Sequence, residues 1–100
     1  MNYQYNNMFK TNEYFEGKVK SVAYENESGK YTIGVMDDGA YEFGTSSNEE
    51  MTVVNGTLEA LLPNESEWKV YPAGSTFQVP ANIKFKVRAK GVTSYLCRYY

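Results

Sequence analysis

The chain contains no histidine. That absence removes Ser-His and Cys-His nucleophile pairs, imidazole acid–base catalysis and imidazole metal ligands together. Proton chemistry is left to carboxylic acids, tyrosines, lysines and water. Cys97 is the only cysteine, so no internal disulfide can form and a reducing compartment is the simpler assignment. Its neighbour Arg98 would favour a thiolate if it lay beside the sulfur, but adjacent strand residues point to opposite faces, so Cys97 is expected to be a small buried hydrophobe. The adjacent carboxylates Glu49 and Glu50 stand at a strand entrance, where the plain reading is a pair of solvated charges. Lys20, alternating with Val22, has the same plain reading.

These side chains must be positioned by strands. From Phe15 onward apolar residues recur at every second position, in short segments punctuated by turn residues, which predicts a nearly all-β chain. In "FEGKVKSVAY" Phe15, Val19 and Ala23 share one face and Glu16, Lys18 and Lys20 the other. In "KYTIGVM" Tyr31, Ile33 and Val35 share a face, and Asp37-Asp38-Gly39 turns the chain into "AYEFGT". The strongest hairpin signal is "EMTVVNGTLEALL", in which Asn55-Gly56 suits a two-residue type I′ connection. "PNESE" reads as an exposed loop, Trp68 and Val70 open a further strand, and Pro72-Ala73-Gly74 turns into "STFQVP" before "IKFKVRA" and "TSYLCRYY". Many short strands without a helix predict a closed barrel or sandwich. Residues 1–11 show no period and are expected to form a flexible arm, leaving residues 12–100 as one domain.

Ten basic against twelve acidic side chains give a net charge of −2, so no global field draws the protein to nucleic acid or to an anionic membrane. No stretch approaches the roughly 18 apolar residues of a membrane span, and the start lacks a leader pattern, so a cytoplasmic protein is expected. "GKVKSV" followed by "GKYTIGV" resembles the first strands of cold-shock domains, but Ser21 stands where a tryptophan is expected and the chain is acidic rather than basic.

Gly74, five residues, then Pro80, with Phe85 five positions on, resembles the second sequence motif of cupins. Upstream, Gly39 is followed by Thr45 and Ser47 at the two metal-histidine offsets, and Glu49 precedes Gly56 at the cupin spacing. The skeleton resembles a cupin whose ligands are replaced by Thr45, Ser47 and Phe85, with Glu49 alone keeping its type. One carboxylate among hydroxyls is a poor transition-metal site, so no metal is expected.

In order, "NEYFEGKVKSV", "IGVM", "YEFGT", "EEMTVVNGTLEALLP", "FQVP" and "TSYLCRYY" resemble the small cupin-fold pyrimidine/purine nucleoside phosphorylases over residues 12–100. The resemblance implies an all-β, single-domain, jelly-roll-like cupin barrel. It also implies a pentosyltransferase of broad specificity that converts purine or pyrimidine ribonucleosides and phosphate to free base and ribose 1-phosphate. Inorganic phosphate is the co-substrate and no cofactor is expected; a homodimer follows partly from the family and partly from open sheet edges. On this resemblance Glu49 stabilises the oxocarbenium-like ribose or holds its hydroxyls, and Arg98, with Lys20 second, meets phosphate. Thr45 and Ser47 would line the substrate site. Phe85 and Tyr95 would offer ring faces to a planar base. The alternative is a non-catalytic cupin that binds a sugar or small metabolite.

Overall fold

A computed structural model describes residues 9–100. Most of the arm expected over residues 1–11 lies outside the described residues, while its last two, Lys10 and Thr11, already belong to a strand.

Ten strands follow in chain order: β1 (Lys10–Tyr14), β2 (Val19–Asn26), β3 (Gly29–Met36), β4 (Gly39–Gly44), β5 (Glu49–Asn55), β6 (Thr57–Leu61), β7 (Lys69–Pro72), β8 (Thr76–Val79), β9 (Lys84–Ala89) and β10 (Thr93–Tyr99). They form a six-stranded sheet of order β1-β2-β3-β10-β5-β8 and a four-stranded sheet of order β4-β9-β6-β7. All neighbours are antiparallel. Neither sheet closes on itself by hydrogen bonds, so the expected barrel is resolved as two facing sheets.

The core lies between them. Val19, Met36, Met51, Val53, Phe77 and Val79 come from the larger sheet, and Tyr41, Phe43, Leu58, Ala60, Phe85 and Val87 from the smaller one. Alternation along each strand puts these residues on one face, where removal of their apolar area from water drives the packing at about 25 cal/mol per Å².

The Asn55-Gly56 expectation is overturned. β5 pairs with β10 and β8, whereas β6 pairs with β9 and β7, so the two strands lie in different sheets and make no hairpin. The signal for a reversal was real, but Gly56, at φ 93°, is spent on carrying the chain between layers. A Cβ there would lie 2.6 Å from the Thr93 Oγ1 and 3.0 Å from its Cα. That hydroxyl accepts from the Thr57 N–H at 3.3 Å and donates towards the Thr57 carbonyl at 3.2 Å, pinning the crossing to β10.

The face shared by Tyr31, Ile33 and Val35 is the outer one. Ile33 and Val35 are 48% and 46% exposed, while Thr32, Gly34 and Met36 point inward. Gly34 is required by its partner across the ladder, Tyr95. The Tyr95 ring lies over the glycine, and a Cβ at 34 would meet its Cζ and hydroxyl at 2.5 Å. "FEGKVKSVAY" is likewise broken before β2 begins. Phe15 and Glu16 take left-handed φ of 53° and 58°, and the Phe15 ring packs against Tyr41 and Phe43 at centroid separations of 5.0 and 5.5 Å.

Candidate functional site

Glu49 opens β5 on the inward face and is fully buried. It is paired with Tyr99 on β10 and Val79 on β8. Cys97, one inward position earlier on β10, is also fully buried, and its thiol donates to the Glu49 Oε1 at 3.3 Å. The Tyr99 hydroxyl lies 3.0 Å from the Thr32 Oγ1 on β3. Tyr95 is fully buried on the same face, with its hydroxyl bonded to Ser21 of β2. The inner face of the larger sheet thus carries a belt of polar groups across β2, β3, β10 and β5.

The electrostatics follow from enclosure. Burial raises the Glu49 carboxyl above its ordinary value of 4.5, because the charged form loses its hydration, and the Cys97 donor pulls part of the way back. Burial, then the charge of Glu49, pushes the Cys97 thiol well up, so it is a proton donor rather than a thiolate. Tyr99 and Tyr95 are raised chiefly by burial, with Glu49 adding to both. Half-buried Tyr14 on β1 is raised by burial and then by Glu49, which places its phenol within the field of the carboxylate. Its ring meets Phe43 edge-on at 6.1 Å, and Phe43 lies 6.1 Å from Phe85. A row of rings from the smaller sheet thus continues into Tyr14 of the larger one.

Of the residues singled out in the sequence, Glu49, Tyr95 and Phe85 all face the space between the sheets. Thr45 is buried, but its hydroxyl donates to the Pro80 carbonyl at 2.7 Å and accepts from the Ile83 N–H at 3.2 Å, tying the end of β4 to the β8–β9 connection. Ser47 is half-buried in the bend between β4 and β5. Arg98 and Lys20 lie on the opposite face of the larger sheet. Arg98 pairs across the ladder with Glu50, not Glu49. Its guanidinium donates to the Ser28 carbonyl at 2.9 Å and lies over the rings of Tyr31 and Tyr100. Lys20 is 3.8 Å from Glu13, with both side chains 60% exposed. One strand cannot present adjacent residues to one face, so the fold separates these cations from the buried carboxylate. The sequence reading missed Tyr14, Thr32 and Tyr99; alternation in "TSYLCRYY" places Tyr99 beside Cys97 and was the available signal.

A sequence model of the pyrimidine/purine nucleoside phosphorylase family matches residues 9–99. The chain belongs to this family. A pyrimidine/purine nucleoside phosphorylase of Pseudoalteromonas atlantica is 54% identical over 92 residues, covering 92% of this chain and 99% of that protein. The crystal structure of a Vibrio parahaemolyticus protein of unknown function matches with a TM-score of 0.89 at 40% identity, over 93% of this chain and 99% of that one. An RmlC-like cupin from Shewanella frigidimarina has a TM-score of 0.71 at 16% identity, over 99% and 89% of the two chains, and shares the fold.

As a nucleoside phosphorylase family member on a cupin-like fold, the chain presents Thr45, Ser47 and Phe85 where the cupin pattern places metal histidines. The Thr45 hydroxyl is committed to backbone groups, and Phe85 has no donor atom and packs in the core. Among the described residues, no three His, Cys, Asp or Glu side chains converge on one point. These donors do not fit a transition metal.

Proposed function

We propose that the protein catalyses phosphorolysis of purine and pyrimidine ribonucleosides without a metal, with Glu49 as its central carboxylate. Family membership over nearly the whole chain carries the reading, and a fully buried glutamate on an otherwise enclosed sheet face supports it. A buried charge is costly, so a carboxylate retained inside a small domain needs a compensating use.

A phosphate oxygen attacks the anomeric carbon, the bond from that carbon to the base nitrogen breaks, and the base leaves with a proton. As the bond lengthens, positive charge grows on the ribose. An ionised Glu49 in a low-dielectric setting opposes that charge more strongly than it would in water. The ring faces at Phe85 and Tyr95 suit both base classes, because stacking uses the π surface that all bases share. The reading rests on Glu49 and not on Arg98 or Lys20, which lie on the outer face of the larger sheet. A cytoplasmic homodimer completes it.

Uridine or adenosine incubated with the protein is expected to yield free base and ribose 1-phosphate only when phosphate is present. Base release independent of phosphate would mean hydrolysis. Ligand-dependent stabilisation without turnover would instead favour a binding protein.

A further inference from the structure

The outer face of the four-stranded sheet carries a groove that the chemistry above leaves unused. It holds about 270 Å³ and is lined by Phe15, Ala40, Tyr41, Glu42, Trp68 and Lys86. Ladder register makes its floor: Glu42 of β4 stands directly opposite Lys86 of β9, and Ala40 directly opposite Arg88. Alternation turns these four outward while Phe43, Phe85 and Val87 fill the core. The small Ala40 side chain leaves the floor open between two ring walls.

Both walls are fixed from behind. The Arg88 guanidinium lies 3.8 Å from the centre of the Trp68 ring, and Glu59 holds it there, with Oε1 2.8 Å from Nε and both atoms shielded from solvent. Arg88 does not line the groove, so it covers one face of the indole and leaves the rest of the ring to the groove. On the other side, the Phe15 ring is backed by Tyr41 and Phe43. Phe15 and Glu16 keep left-handed φ, which non-glycine residues adopt at a cost, yet Phe15 remains 43% exposed. Strain held at a ring that is not buried points to a position kept for contact.

Between the walls stand a carboxylate and an ammonium on neighbouring strands. Glu42 and Lys86 are both exposed, and among the described residues neither makes an ion pair or side-chain hydrogen bond within the protein. Such a pair matches a ring edge on which an N–H adjoins a carbonyl or an acceptor nitrogen: the carboxylate accepts from the N–H, and the ammonium donates to its neighbour. Purine and pyrimidine bases carry that edge on a flat π system, which suits ring walls. The groove is smaller than the roughly 300–1,000 Å³ of sites that enclose drug-sized ligands, so it suits one ring system rather than a nucleotide.

We propose that this groove is a second site, on the far side of the smaller sheet from Glu49, that binds the ring of a purine or pyrimidine base between Trp68 and Phe15, with Glu42 and Lys86 engaging its polar edge. It goes beyond phosphorolysis and rests on that reading only for the source of the ring, as released base or as nucleoside. No bond forms or breaks there.

Trp68 is the chain's only tryptophan, so its fluorescence reports on the groove directly. With phosphate omitted, the full chain is titrated with uracil, with uridine and with uracil methylated on both ring nitrogens, exciting beyond their absorption. Uracil is expected to quench the emission saturably, with a Kd of about 1 mM or tighter. Uridine keeps the N–H between its carbonyls: binding as tight as that of uracil makes the nucleoside an occupant, and binding about 3-fold or more weaker assigns the groove to the free base. The methylated ring has lost every N–H and should bind about 10-fold more weakly. Glu42→Met and Lys86→Met, both at exposed positions that folding tolerates, should each weaken uracil about 5-fold or more, whereas Glu49→Gln leaves the titration unchanged. The two methionine variants should keep initial rates with uridine and phosphate within about 2-fold of wild type. Absence of saturable quenching by uracil up to about 5 mM overturns the site. So does equal binding of the methylated ring, quenching that survives Lys86→Met but not Glu49→Gln, or turnover lost with either methionine variant. Wild-type protein that binds uracil at Trp68 yet never releases base from uridine sinks the phosphorolysis reading and leaves the groove standing.

Discussion

The two faces of the six-stranded sheet are both mixed in polarity, and the mixture on the inner face is the unusual one. The inner face buries Glu49, Thr32, Ser21, Tyr95 and Tyr99, whereas the outer face exposes Ile33, Val35 and Val54. β10 shows the contrast within one strand: Thr93, Tyr95, Cys97 and Tyr99 point in, and Ser94, Leu96 and Arg98 point out. A sheet built for stability alone would bury the aliphatic residues, since each buried polar group must be matched by a partner to avoid a net cost. The inner face of this sheet thus sets polar groups among Val19, Met36, Met51, Val53 and Val79, whereas the facing four-stranded sheet, with Phe43, Leu58, Phe85 and Val87, is conventionally apolar.

The largest test of that contrast is Glu49→Gln. Turnover should fall by about 100-fold or more, the scale on which loss of a transition-state electrostatic group is felt. The same variant should remain folded, and its stability should respond differently to pH. The folded-state Glu49 value lies above 4.5, so from about pH 4.5 upward the unfolded chain releases a proton that the folded chain still holds. Wild-type stability therefore loses a contribution as pH rises through that window. Urea midpoints at pH 4.5, 6 and 8 should show this decline in wild type and a flatter profile in the glutamine variant. Equal profiles would mean that the inner carboxylate is better solvated than its burial implies.

Gly34→Ala is next in size. The added methyl meets the Tyr95 ring and the Lys20 carbonyl, at 2.5 and 2.8 Å, and should cost about 1–3 kcal/mol. In a domain of this length that lowers Tm by roughly 4–8 °C per kcal/mol. A thermal melt reads it directly.

The finest comparison uses neighbours on β5. Val53 is fully buried and Val54 is 52% exposed. Val53→Thr should cost about 1–3 kcal/mol by burying an unmatched hydroxyl, whereas Val54→Thr should stay within about 0.5 kcal/mol. Similar denaturant midpoints for the two variants would dissolve the distinction between the faces.

Much of this was legible in the chain. The two-residue period gave the strands, the lack of histidine closed off imidazole chemistry, and ordered segments from "NEYFEGKVKSV" to "TSYLCRYY" pointed to the family. The phase of β3 was not legible, because alternation in "YTIGV" groups Tyr31, Ile33 and Val35 on one face, and that more apolar face is the outer one. Its inward setting is decided by Tyr95, a residue sixty-one positions away from Gly34 that needs the glycine's empty space. Asn55-Gly56 misled for a related reason. A positive φ reverses a chain locally, but whether the next strand joins the same sheet or the facing one depends on the partners waiting in each, here β9 and β7.

Sequence alone determined which reactive groups exist, since composition and alternation are local properties of the chain. Only tertiary structure decided which of them meet. It brought Glu49 to Cys97 and left Arg98 outside, because the pleat sends neighbouring residues to opposite faces and ladder register, set by long-range packing, chooses which face is enclosed.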